Sequence, residues 1–223
     1  VLAHQTGRNQ IAADLIRRAI AISPKFPDAL NNLGLVLDAL GERSKAIAAY
    51  REAIAQRPGY AEAYNNLSAT LRETGEIDEA IAASRQAVGI RPDLAVTHYN
   101  LGEALKANGE FAEAAAAFER CVAINPGRAH AHNKLGNSLM GAGQLEQAAT
   151  AYRRAIGVKP DFAEAVYNLG VALQQSGRLE EADQRGCCFR LCPIGGGCWG
   201  GRIVLGIHRC DCSAKVRWGI GRA

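Results

Sequence analysis

Five prolines fall at Pro24, Pro58, Pro92, Pro126 and Pro160, each 34 residues after the one before. Glycines keep the same step in a second phase, at Gly7, Gly41, Gly75, Gly109, Gly143 and Gly177. A fixed period of this length constrains the fold strongly. Each period must be one supersecondary unit that cannot hide its apolar face alone and so stacks on its neighbours. Aligned on the prolines, the units begin at Pro27, Ala61, Ala95, Ala129 and Ala163. Leu33, Leu67, Leu101, Leu135 and Leu169 then coincide, followed by Gly34, Ser68, Gly102, Gly136 and Gly170. Further along, Ala46, Ala80, Ala114, Ala148 and Ala182 coincide, and Tyr50, Ser84, Phe118 and Tyr152 share a slot in which Ser84 fits poorly.

Between these landmarks each unit carries two stretches of about 14 residues with apolar side chains three and four apart, the spacing of an amphipathic helix. In the first unit they cover 27–40 and 44–57. The glycine between them suits a helix C-terminus that must turn left-handed. The proline ends the second helix, and the Asp or Gly after it turns the chain. Hydrophobic residues make up 48% of the chain but aromatics only 6%. Alanine fills much of the difference, which favours helix and close helix packing.

The matched positions resemble the tetratricopeptide-repeat (TPR) pattern, W-x2-L-G-x2-Y followed by A-x3-F and a proline, over residues 1–185. The expected fold is therefore all-α. The resemblance implies a right-handed solenoid of antiparallel helix pairs, about five repeats long, with the first helices lining the inside. The expected units are a partial repeat at 1–26, full repeats at 27–60, 61–94, 95–128 and 129–162, and an incomplete one at 163–185. Residues 1–6 are expected to end one helix and 10–23 to form its partner. Neither end shows the polar capping helix of a finished solenoid, so the chain reads as a piece of a longer protein. End-to-end pairing of chains stays open.

Residues 186–223 are written differently. They hold nine glycines, six of the seven cysteines, both tryptophans and no glutamate. Residues 1–185 contain 20 Lys/Arg against 21 Asp/Glu, whereas the tail contains six basic residues and only Asp211 as an acid. The net charge of +4 thus belongs to the tail, and the body gives no reason to expect nucleic-acid binding. Cys187, Cys188, Cys192, Cys198, His208, Cys210 and Cys212 lack the paired C-x2–4-C hooks of a structural zinc site. The tail reads as irregular, out-of-frame translation. No membrane span, metal or cofactor is expected, and cysteine use in the body points to the cytoplasm.

In a TPR helix pair the groove is lined by positions 2, 5, 6, 9, 12 and 13 of the first helix. Position 6 reads Asn32, Asn66, Asn100, Lys134 and Asn168. An asparagine amide both donates and accepts, so it matches a peptide main chain without reading its sequence. This row, with its NNLG text, is similar to the TPR region of O-linked N-acetylglucosamine transferases and related bacterial proteins. The similarity implies groove asparagines that hold a peptide backbone, with Lys134 as the departure. The other expected groove residues are Asn31, Asn65, Tyr99, Asn133, Tyr167, Glu103, Lys106, His130 and Arg72. A carboxylate clamp is the rival chemistry: Asn100, Lys134 and His130 fit it, while Asn65 and Ala69 do not.

No catalytic constellation emerges. His98 and His132 occupy a packing slot, and His130 and His132 lie about 200° apart around a helix and cannot share a ligand. Cys121 stands where other units have alanine and reads as core filling. The expected function is a non-enzymatic protein-interaction scaffold that binds a protein or extended peptide. The alternative is the substrate-recruiting part of a larger glycosyltransferase or sulfotransferase.

Overall fold

The computed structural model of the chain describes residues 2–177, with side chains from Gly7 onward. The cysteine-rich segment, with the zinc and disulfide readings attached to it, lies outside the described residues, as do 178–185. Ten helices and no strand occur among the described residues: α1 (Leu2–Ile22), α2 (Pro27–Ala39), α3 (Arg43–Gln56), α4 (Ala61–Thr74), α5 (Ile77–Ile90), α6 (Ala95–Ala107), α7 (Phe111–Ile124), α8 (Ala129–Gly141), α9 (Leu145–Val158) and α10 (Ala163–Gln175). Helix α1 packs on α2. The next helices pair as α2 with α3, α4 with α5, α6 with α7 and α8 with α9, and each pair stacks on the next to form a solenoid.

Local backbone chemistry sets the boundaries. After the first helix of each pair the chain enters the left-handed region at Gly41, Gly75, Gly109, Gly143 and Gly177, with φ between +75° and +88°. At Gly75 the amide of Glu76 reaches back to Leu71 O (2.9 Å) and that of Gly75 to Arg72 O (3.3 Å). These two bonds satisfy carbonyls that the helix end would otherwise leave open. The second helices stop for a different reason. Arg57, Arg91, Asn125 and Lys159 precede prolines and sit outside the helical region, because the proline ring excludes helical backbone at the residue before it.

The expected break at Gly7 is corrected: α1 runs unbroken from Leu2 to Ile22. Gly7 is not among the glycines with positive φ. A helix interior carries a glycine for about 1 kcal/mol, a cost the helix formers around it absorb.

Within three of the four pairs, a glycine on the first helix faces a ring on the second. A Cβ at Gly34 or Gly136 would overlap the ring of Tyr50 or Tyr152, and one at Gly102 would lie 2.8 Å from Phe118. The second repeat meets the same constraint without a ring. Ser68 Oγ donates to Ala80 O (2.9 Å) and lies 2.5 Å from the Ser84 hydroxyl, which is left as the donor between them. Ser84 is therefore half of a buried polar pair rather than a failed aromatic. Between repeats the core continues as small shared clusters. Examples are Leu30, Ala53 and Ala63 with Ile20, Ile54 and Tyr60, and Ala129, Ala155, Phe162 and Ala165 with Ile156.

Candidate peptide-binding groove

The first helices α2, α4, α6, α8 and α10 form one face, with α2 touching α4, α4 touching α6 and α8 touching α10. Residues 5 and 6 of each first helix meet across these contacts, one repeat offset by 35 residues. Asn66 Nδ2 donates to Asn31 Oδ1 (2.9 Å), Asn100 Nδ2 to Asn65 Oδ1 (3.3 Å), and Asn168 Nδ2 to Asn133 Oδ1 (3.1 Å). Asn168 also reaches Asn137 Oδ1 at 3.1 Å, and Asn133 Nδ2 donates to Glu164 at 2.9 Å.

Two expectations change here. Asn31, Asn65 and Asn133 are buried, with relative exposures of 5%, 5% and 1%. They serve as the inner halves of inter-repeat bonds rather than as groove surface. Asn66, Asn100 and Asn168 are half-buried rather than fully solvent-facing. Asn66 and Asn100 each still have their Oδ1 and a second amide hydrogen to offer, whereas Asn168, which donates to both Asn133 and Asn137, keeps only its Oδ1. Asn32, the first rung, is exposed.

The same offset accounts for Lys134. Its partner position holds Tyr99, which has no amide oxygen to offer, and Lys134 turns to Glu103 instead (Nζ–Oε2 3.5 Å). Arg72 Nη1 and Lys106 Nζ converge on the same carboxylate at 3.6 and 3.4 Å. The Glu103 side chain is only 13% exposed. Arg128 lies over the Tyr99 ring at 4.7 Å, and that ring meets Phe118 edge-on at 5.5 Å. Burial, and next the Glu103 charge, push the Tyr99 phenol up, against the pull of Lys134, Arg128 and Arg72. Arg128 and Asn137 escaped the sequence reading. Asn137 stands at groove position 9 and could have been found by register, whereas Arg128 precedes its helix and carries no positional signal.

The remaining candidates separate. His130 is exposed and stacks near Phe162, ring centroids 4.7 Å apart. Tyr167 is exposed on α10. The three clamp candidates thus turn to different partners: Asn100 to Asn65, Lys134 to Glu103 and His130 to Phe162. His98 and His132 are buried, and their Nε2 atoms lie 2.9 Å from Pro92 O and Pro126 O. A carbonyl only accepts, so each Nε2 carries the proton and ties its helix to the preceding turn. At the other end of the groove Arg43 binds Glu73 through Nε and Nη2 (3.1 and 2.8 Å), beside Asp38. Burial, and then Glu73, raise the Asp38 carboxyl. Cys121 is fully buried and its thiol is pushed up by burial. No group of three potential metal ligands occurs among the described residues, and none of their helices is long and apolar enough to cross a membrane.

Paired helices in a 34-residue register, stacked so that the first helices form one face, define a tetratricopeptide-repeat protein. Family models of the tetratricopeptide repeat match residues 2–60, 31–95 and 95–128, and a further TPR repeat model matches 136–177, so the chain belongs to the TPR family. Among solved structures it is similar to the MamA protein, with 28% identity over 70% of this chain and 85% of that one and a TM-score of 0.65. It is also similar to YrrB, a TPR protein with an unusual peptide-binding site (23%, 76% and 88%, TM-score 0.67). A third is MamA from Desulfovibrio magneticus RS-1 (20%, 70% and 88%, TM-score 0.65). The two likenesses below 25% identity concern the fold. No curated protein sequence matches the chain significantly.

Proposed function

We propose that this chain is a protein-interaction scaffold that holds an extended segment of a partner protein along the face of α2, α4, α6, α8 and α10. The observation that carries the reading is the row of asparagines at position 6. After bonding the neighbouring repeat, Asn66 and Asn100 still present an acceptor and a donor to the groove, and Asn168 an acceptor, at a constant register. Each net hydrogen bond to a peptide is worth about 0.5–1.5 kcal/mol. Micromolar binding, about −8 kcal/mol, therefore also draws on side chains such as Tyr99, Tyr167, His130 and the Glu103 cluster. The larger-transferase reading draws on the same asparagine row, and inter-repeat bonding already accounts for much of that row. The scaffold reading requires no further domain.

The test must separate a rung that touches peptide from one that only joins repeats. Asn32, Asn66 and Asn100 are changed together to Ala in one variant, and their buried partners Asn31 and Asn65 in another. Both variants lose inter-repeat bonds, and both are checked by circular dichroism. Binding of labelled peptides is read by fluorescence anisotropy. Weakened binding in the first variant only is the expected result. Equal weakening in both, or in neither, would refute the rungs as contacts.

A further inference from the structure

Arg72, Lys106 and Lys134 come from three successive first helices, α4, α6 and α8, and among the described residues all three pair with Glu103 and with no other carboxylate. One negative charge meets three positive ones at the middle of the groove, with Arg128 close by over Tyr99. The pairing is loose. Its distances of 3.4–3.6 Å exceed the 2.7–2.9 Å of a charge-assisted hydrogen bond, and Glu103 Oε1 is buried without a hydrogen-bond partner. The cation side chains keep 26–28% exposure, twice that of the carboxylate they surround. The cluster is therefore under-neutralised, and a better-placed carboxylate could take over its contacts. It is also central: its residues come from α4, α6 and α8, with the first helix α2 before them in the row and α10 after, so a bound chain can enter and leave past it.

Resting on the groove reading above, we propose that Arg72, Lys106 and Lys134 receive a side-chain carboxylate from an acidic internal segment of the partner, and that Glu103 occupies this point as a built-in competitor. Lys134, which breaks the asparagine row, is then the residue that gives the groove a charge preference. Charge complementarity selects the partner here, while the flanking amides are indifferent to sequence. A central cluster passed on both sides favours an internal residue over a chain terminus.

The experiment uses the full chain, its E103Q variant and the K106Q/K134Q double variant, each checked for unchanged helix content. Three labelled peptides of about ten residues serve as probes. One alternates Glu and Gly with both ends blocked, the second replaces every Glu by Gln, and the third is the Gln peptide with a free C-terminal carboxylate. Removing one charge about 4 Å away corresponds to roughly five-fold or more in affinity. E103Q is thus expected to bind the blocked Glu peptide at least about five-fold tighter than the unmodified chain, with the gain shrinking as salt rises. K106Q/K134Q is expected to lose the preference for Glu over Gln. If E103Q gains nothing while the Gln peptide binds every chain, the carboxylate assignment falls and the groove reading stands. A gain confined to the free C-terminus would replace the acidic segment by a chain end and overturn the proposal. If no probe binds any of the chains, both readings fall together.

Discussion

The same substitution, glycine to alanine inside a helix, should have opposite effects at two places in this chain. Gly102 lies within α6 with Phe118 of α7 against it. A Cβ there would sit 2.8 Å from ring atoms Cε2 and Cζ, well inside the roughly 3.5–4.0 Å of ordinary carbon contact. Phe118 has 0% exposure and is held edge-on by Tyr99, so the ring has no open space to enter. Overpacking of this kind costs about 1–3 kcal/mol, and removing a helix glycine returns about 0.5–1 kcal/mol. Gly102→Ala is therefore a net loss of about 1 kcal/mol. Gly89, in α5, has nothing within 4 Å of its would-be Cβ. Gly89→Ala collects only the helical gain, tempered by its place in the last turn. At about 2–4 °C per kcal/mol for a chain of this size, the two variants should melt on opposite sides of the parent. Repeat arrays need not unfold in one step, so thermal and urea midpoints by circular dichroism are compared variant against parent. A second arm changes Phe118 to Leu, which makes room for the methyl, so Gly102→Ala should cost less in that background. Shifts of the same sign for Gly102→Ala and Gly89→Ala would refute the close-contact reasoning.

Other outcomes are equally specific. Asn133→Ala removes a buried side chain bonded to both Asn168 and Glu164 and should cost about 1–3 kcal/mol; a thermal midpoint like that of the parent would contradict its structural role. Asp38 has a folded pKa raised by burial and then by Glu73, so its charged form opposes folding above that pKa, and the penalty vanishes below the unfolded value, where both states are protonated. Asp38→Asn should accordingly raise the melting temperature at pH 7, with the gain shrinking as pH falls through the raised folded pKa and gone below 3.8; a gain independent of pH would exclude the linkage. Buried Cys121, with its raised thiol pKa, should stay unmodified by iodoacetamide in the folded chain and react in urea, which peptide mapping by mass spectrometry reads site by site.

The sequence by itself determined the helices and their order. Proline and glycine act within a few residues along the chain, excluding helix before Pro58, Pro92, Pro126 and Pro160 and permitting left-handed turns from Gly41 to Gly177. Such signals are legible without any fold. They misled once, at Gly7, because a permissive residue allows a turn but does not force it. The pairing of Ser68 with Ser84 was visible only as two departures from the pattern, and the structure joins them. The bonding partners of the groove side chains were not legible. Whether Asn66 meets Asn31 or a ligand, and whether three cations gather on Glu103, depends on the angle between successive repeats and on rotamers chosen among competing partners. Apart from Lys106, which lies three residues from Glu103 on the same helix, those choices arise from contacts 31 to 35 residues apart, beyond the reach of any local rule, and only the stacked repeats decide them.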